Sequence, residues 1–123
     1  MATKEGKVWG ETRPIVVNPF CEMHHIKIKR GGICSKHLHR YKTNGFYVLS
    51  GTLIIRTWQD AYELIDETTL NAGDYYEAKP NLYHQFEAVT GVEALEIYFP
   101  TPISHDIVRE TVGRLKKSAI RDR

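Results

Sequence analysis

Hydrophobic and polar positions alternate along most of this chain with a period of two. Between Glu22 and Arg30, Ile26 and Ile28 fall on one face and Lys27 and Lys29 on the other. That is the pattern of a half-buried strand. Ile15 to Val17, Phe46 to Leu49, Leu53 to Trp58, Tyr62 to Ile65, Tyr75 to Glu77, Gln85 to Val89 and Ala94 to Phe99 read as further strands. Turn formers separate them, including Asn18-Pro19, Ser50-Gly51, Asn71-Ala72-Gly73-Asp74, Pro80-Asn81 and Thr90-Gly91. Many short strands with regular turns predict an all-β sandwich or barrel. Only the end differs: Ser104 can cap a helix over 104–117, with Ile107, Val108, Val112 and Leu115 near one face.

A chain of 123 residues supports one domain with one core. The expected division is a flexible start over 1–6, a single domain with its closing helix over 7–117, and a basic tail over 118–123. Net charge is +2 and both signs are interspersed, so no basic face argues for nucleic acid. The basic end reads as a solvated terminus. No apolar stretch approaches bilayer length and the start does not read as a signal peptide, so no membrane role and a cytoplasmic setting are expected. Cys21 and Cys34 lack the spacing of zinc or redox motifs and read as free thiols.

The chemistry concentrates in three histidines. His37 and His39 flank Leu38, and if the segment is extended both imidazoles point to one face. His84 lies on a distant candidate strand. Three imidazoles aimed at one space suit zinc, iron, manganese, nickel or copper and leave coordination positions open. Alternation that turns His37, His39 and Asn44 inward also turns Phe46 and Val48 inward, and an inward His84 brings Phe86 with it. Tyr83, Tyr76, Tyr98, Trp58 and Tyr41 are candidates for the rim or sides of the pocket. His24 and His25 are adjacent, so at most one can face inward, and both are set apart from the site. Glu96, between Leu95 and Ile97, is the best local candidate for a general base if its face is the inner one. Asn44 next to Gly45 reads equally well as a hairpin turn.

Two segments carry a family resemblance. Gly31 to Gly51 resembles the first cupin motif: a glycine, five residues, His-x-His, a short gap, a glutamate, six residues and a glycine. Gly73 to His84 resembles the second, which ends in a proline-led turn and a histidine. The resemblance spans about residues 7 to 100 and implies a cupin double-stranded β-helix, or jelly-roll barrel. It implies a divalent metal (zinc, iron, manganese or nickel) held by His37, His39 and His84, with Asn44 at the place of the motif's glutamate. Asn44 can offer a carbonyl oxygen but no negative charge. Asn81-Leu82 replaces the second motif's usual glycine, and asparagine tolerates the left-handed conformation such a turn asks for.

The flanks Val8-Trp9-Gly10 and His105-Asp106-Ile107-Val108-Arg109 look like those of the C-terminal domain of type II mannose-6-phosphate isomerases. That likeness implies a metal-dependent jelly roll and aldose–ketose proton transfer on a sugar phosphate. The expected function is accordingly isomerase- or epimerase-like action on a sugar or sugar phosphate, and the residues read above supply Glu96 as the catalytic candidate and Phe46, Tyr76, Phe86 and Tyr98 as the expected substrate pocket. A three-His iron dioxygenase and a non-catalytic small-ligand or sugar-binding module are the alternatives. A homodimer is expected as well. An apolar N-terminal segment around Val8-Trp9 and Ile15-Val16-Val17 needs an edge to dock on, and cupins commonly dimerise through such strands.

Overall fold

The computed structural model describes residues 4–59, 65–100, 108, 110 and 112–116. Within them lie nine strands: β1 Glu5–Lys7, β2 Gly10–Asn18, β3 Cys21–Ile28, β4 Thr43–Ser50, β5 Leu53–Trp58, β6 Ile65–Leu70, β7 Tyr75–Ala78, β8 Tyr83–Ala88 and β9 Val92–Phe99. They form two antiparallel sheets, one in the order β1-β2-β3-β9-β4-β7 and one in the order β6-β5-β8. The segment from Gly31 to His37 clips onto the free edge of β8. There Gly31 N–H donates to Ala88 O at 2.8 Å, Ala88 N–H to Gly32 O at 2.9 Å and His84 N–H to His37 O at 2.8 Å. The architecture is a jelly-roll barrel, and no described helix is long and apolar enough to cross a membrane.

Alternation decides what the barrel encloses. On β5, Leu53, Ile55 and Thr57 are buried while Ile54, Arg56 and Trp58 are half-buried. On β4, Asn44, Phe46 and Val48 point inward, and on β8 so do His84, Phe86 and Ala88. Ile26 and Ile28 of β3 and Val92 and Ala94 of β9 close the same core. The two inner faces therefore share one apolar interior at the Ile28–Val48–Ala88 end. At the other end, polar side chains replace the apolar ones on those same faces.

The local signals behind these elements are specific. Asn18 ends β2 because its Oδ1 accepts N–H bonds from Phe20 (2.9 Å) and Cys21 (3.0 Å), a side-chain turn that reverses the chain into β3. Gly51 has φ +86, and a Cβ there would run into the Gly91 carbonyl, so the β4–β5 turn needs a glycine. Asn81 has φ +67 and stands at the turn before β8, as its tolerance of that region predicts.

Four differences from the expectations stand out. Glu5–Lys7 pairs with β2 although a mobile start is expected. β6 begins at Ile65 and continues through Asp66-Glu67-Thr68-Thr69, too polar to show alternation in sequence; the rest of the expected 62–65 strand lies outside the described residues. Asn44-Gly45 is not a hairpin turn. Both residues lie inside β4, where Gly45 leaves room for the Tyr75 ring across the sheet. The helix expected over 104–117 is not seen: Val108, Glu110 and 112–116 carry no helix, and the remainder is outside the described residues.

Candidate metal centre

His37 and His39 lie on an extended connection rather than in a named strand, and three backbone contacts fix it. His37 forms an isolated bridge with His84, through N–H donation in both directions at 3.1 and 2.8 Å. Asn81 N–H donates to His39 O at 2.7 Å. The three rings meet as a result. His37 and His84 have ring centroids 4.5 Å apart, His37 and His39 5.1 Å, and His39 and His84 5.6 Å. One ring nitrogen from each lies within 4.8 Å of the other two. His84 is buried; His37 and His39 are half-buried on the cavity side.

Backbone carbonyls select which nitrogens are free. His37 Nδ1 lies 2.8 Å from Ser35 O and His84 Nδ1 lies 2.9 Å from Leu82 O. A neutral ring that donates Nδ1–H to those carbonyls keeps an Nε2 lone pair for another partner. His39 Nε2 is buried with no hydrogen-bond partner among the described residues. Burial, and then the neighbouring imidazoles and the Lys42 ammonium, push the His39 pKa down to about 4. Burial lowers that of His84 as well. Both rings therefore stand neutral at pH 7, the form that binds a metal.

Asn44 is fully buried and bridges the cluster to a carboxylate. Its Oδ1 is 3.0 Å from His84 Nε2 and its Nδ2 donates to Glu96 Oε2 at 3.4 Å. With His84 Nδ1–H committed to Leu82, a neutral His84 turns a lone pair toward the Asn44 oxygen. Two acceptors then face each other. A cation beside them removes the conflict. So does rotation of the amide together with a proton on Glu96. The orphaned His39 nitrogen and this facing pair fit a divalent ion at the cluster, and the donor set, three imidazoles and an amide oxygen, suits a borderline metal.

A cavity of about 630 Å³ opens on the cluster. His37, His39, Phe86 and Tyr98 line it, and so do Glu96 and His24. The last two face each other because the β3–β9 register pairs His24 with Glu96 and Glu22 with Tyr98. Burial raises the Glu96 pKa, against the opposing effects of hydrogen bonds from Tyr98 and Asn44. Burial and the adjacent Glu96 charge raise that of Tyr98. Cys34 also lines the cavity; its Sγ accepts the Phe86 N–H at 3.1 Å, and burial pushes its thiol up to about 11.

Not every expected pocket residue reaches this wall. Phe46 stands behind it in the core, its ring 6.3 Å from that of His84. Tyr76 packs against the core from β7. Tyr41 and Tyr83 are exposed, and Trp58 lies under the Lys36 ammonium at 4.4 Å, away from the cavity. His24 corrects the sequence reading that set it apart. It lines the cavity, with Nε2 3.3 Å from Glu22 Oε2, while His25 turns outward to Glu93. The parity of Ile26 and Ile28 held that signal, because His24 shares their face.

Comparison with known proteins agrees with this geometry. The cupin domain family model matches residues 24–105. A comparison with curated proteins gives no match. Among solved structures, KdgF from Halomonas sp. superposes with a TM-score of 0.69 at 16% identity, covering 81% of this chain and 87% of that one. An RmlC-like cupin from Shewanella frigidimarina gives 0.67 at 21%, covering 81% and 85%. Bacillus subtilis oxalate decarboxylase gives 0.72 at 17%, and there the match covers 84% of this chain but only 28% of the enzyme. With most of its length matched by the family model, and with the barrel and the two histidine-bearing segments in place, this chain belongs to the cupin family.

Proposed function

We propose that this protein binds a divalent metal through His37, His39 and His84, with Asn44 beside it, and acts on a small sugar or sugar phosphate as an isomerase or epimerase. The observation that carries the reading is the convergence of three imidazoles and one buried carboxyl, Glu96, on a single cavity. The manganese centres of the oxalate decarboxylase support a metal in this fold. A bound metal would supply Lewis-acid polarisation of a substrate carbonyl or hydroxyl. Glu96, raised toward neutrality by burial, is suited to exchange a proton with an adjacent carbon or oxygen. Tyr98 orients that carboxyl, and Phe86 presents an apolar wall to the substrate skeleton. The likeness of the flanks to mannose-6-phosphate isomerases points the same way, although most of 105–109 lies outside the described residues.

Metal analysis of protein purified without chelator tests this. Zinc or manganese in near-stoichiometric amount supports it, and His84→Ala should keep the fold and lose most of the metal. Full metal content in that variant would sink the assignment. The all-neutral donor set favours one other reading, a three-His iron dioxygenase. Iron together with oxygen uptake would select it, and absence of any metal would leave a non-catalytic binding module.

The protein also acts as a homodimer in this reading. β1 covers only Gly10–Thr12 of β2, so from Arg13 to Asn18 the edge of β2 that faces away from β3 has no strand partner among the described residues. Ile15, Val17 and Phe20 are exposed there. A second copy docking on that edge would bury them and satisfy the open backbone groups. Light scattering should give twice 14.2 kDa; a monomer mass at micromolar concentration would rule the dimer out.

A further inference from the structure

The cavity wall carries five charged side chains besides its histidines: Glu5, Lys7, Glu22, Lys42 and Glu96. Four have polar or ionic partners. Lys7 pairs with Glu5 at 3.4 Å, Glu22 with His24 at 3.3 Å, and Glu96 accepts from Asn44 Nδ2 at 3.4 Å. Lys42 differs. Its ammonium has no carboxylate within salt-bridge distance among the described residues and lies instead 4.2 Å from the centre of the Tyr98 ring. The His39 ring contacts that same phenol, at 5.1 Å between centroids. The ammonium thus stands within one small-molecule length of the histidine cluster, and its charge is felt there, where it opposes protonation of His39.

Two further features hold this charge in place. Tyr98 is wedged edge-on between His24, at 6.0 Å, and His39, at 5.1 Å, so the platform under Lys42 is held from two sides. Lys42 immediately precedes the buried Thr43, the first residue of β4, so its backbone is held by the sheet while its side chain reaches over the cavity. A cation kept at a cavity mouth by an aromatic face, rather than by a carboxylate, keeps its hydrogen-bond donors available.

We infer that Lys42, seated on Tyr98, is a specificity-determining residue that recognises a carboxylate or phosphate on the substrate while the opposite end of the substrate reaches the histidine cluster. This rests on the function proposed above and narrows its substrate class to anionic small sugars. An ammonium–oxyanion contact at a partly desolvated mouth gives about a tenfold preference for the charged ligand.

The test is calorimetric titration of full-length protein, as purified and with its metal content measured, against D-glucose 6-phosphate, D-glucuronate and D-glucose. Wild type should bind at least one charged sugar about tenfold more tightly than glucose. Lys42→Met, which keeps the side-chain length over Tyr98, should lose that preference without changing metal content, and Lys42→Arg should retain it. Equal binding of charged sugars by wild type and Lys42→Met would overturn the inference. So would a metal-loaded wild type that does not distinguish charged from neutral sugars; that result leaves the metal assignment standing. A metal-free protein that still loses charged-sugar binding in Lys42→Met would support Lys42 and overturn the metal reading instead.

Discussion

Protonation of His39 offers the most direct quantitative test of the site. The ring is held at about 4 against an ordinary 6.5. A folded state that resists protonation binds fewer protons than the unfolded chain once the pH drops below 6.5. Stability therefore falls as pH falls through 6.5, and the loss is complete near 4. A tenfold change in proton affinity is worth ~1.4 kcal/mol, which sets a ceiling of roughly 3 kcal/mol for this ring. His39 is only half-buried and faces cavity water, and screening reduces the figure to about 1–2 kcal/mol. His84, also lowered, adds in the same direction. Glu96 opposes both: with its pKa raised, it loses stability as pH rises and regains it as pH falls. A wild-type curve alone mixes these effects, and His39→Gln separates them. The assay is urea denaturation of chelator-stripped protein at pH 7 and pH 4.5. Between those values wild type should lose about 1–2 kcal/mol more than His39→Gln. Parallel curves for the two proteins would refute the claim that this imidazole is desolvated in the folded cluster.

Other outcomes follow from particular contacts. Asn44→Glu should tighten metal binding in a chelator competition, because an anionic oxygen replaces a neutral one beside a dication, while the metal-free variant loses stability from two carboxylates meeting at Glu96. Unchanged affinity would place Asn44 outside the metal's reach. Phe46→Ala removes one of the largest fully buried side chains and should cost about 3–5 kcal/mol in denaturant melts. A loss well under that range would mean that the core collapses around Phe46 more freely than its packing against Phe86 and His84 implies.

The sequence by itself carried parity and spacing. Alternation told which members of a strand share a face, so Asn44, Phe46 and Val48 could be placed together from the residue pattern alone, and likewise His84, Phe86 and Ala88. The His37-Leu38-His39 spacing and the turn chemistry of Pro80-Asn81 were equally local, and they sufficed for the barrel and for the three-histidine cluster. Parity also covered His24, through Ile26 and Ile28, although the adjacent His25 obscured it.

Tertiary structure decided whatever depended on register and partner. That His24 meets Glu96, and Glu22 meets Tyr98, follows from the pairing of β3 with β9, two segments far apart in the chain, and no local pattern encodes that alignment. Phe46 and Tyr76 pack on the core yet stand off the cavity, because alternation sets which face a side chain takes and not how far along that face the cavity reaches. The polar β6 forms because β5 offers it a ladder rather than because of its own propensity. Likewise, Lys42 gains a role only once the β9 tyrosine is folded beneath it. Alternation is a property of one strand, whereas a site needs several strands, and their relative placement is settled by long-range packing of the whole core.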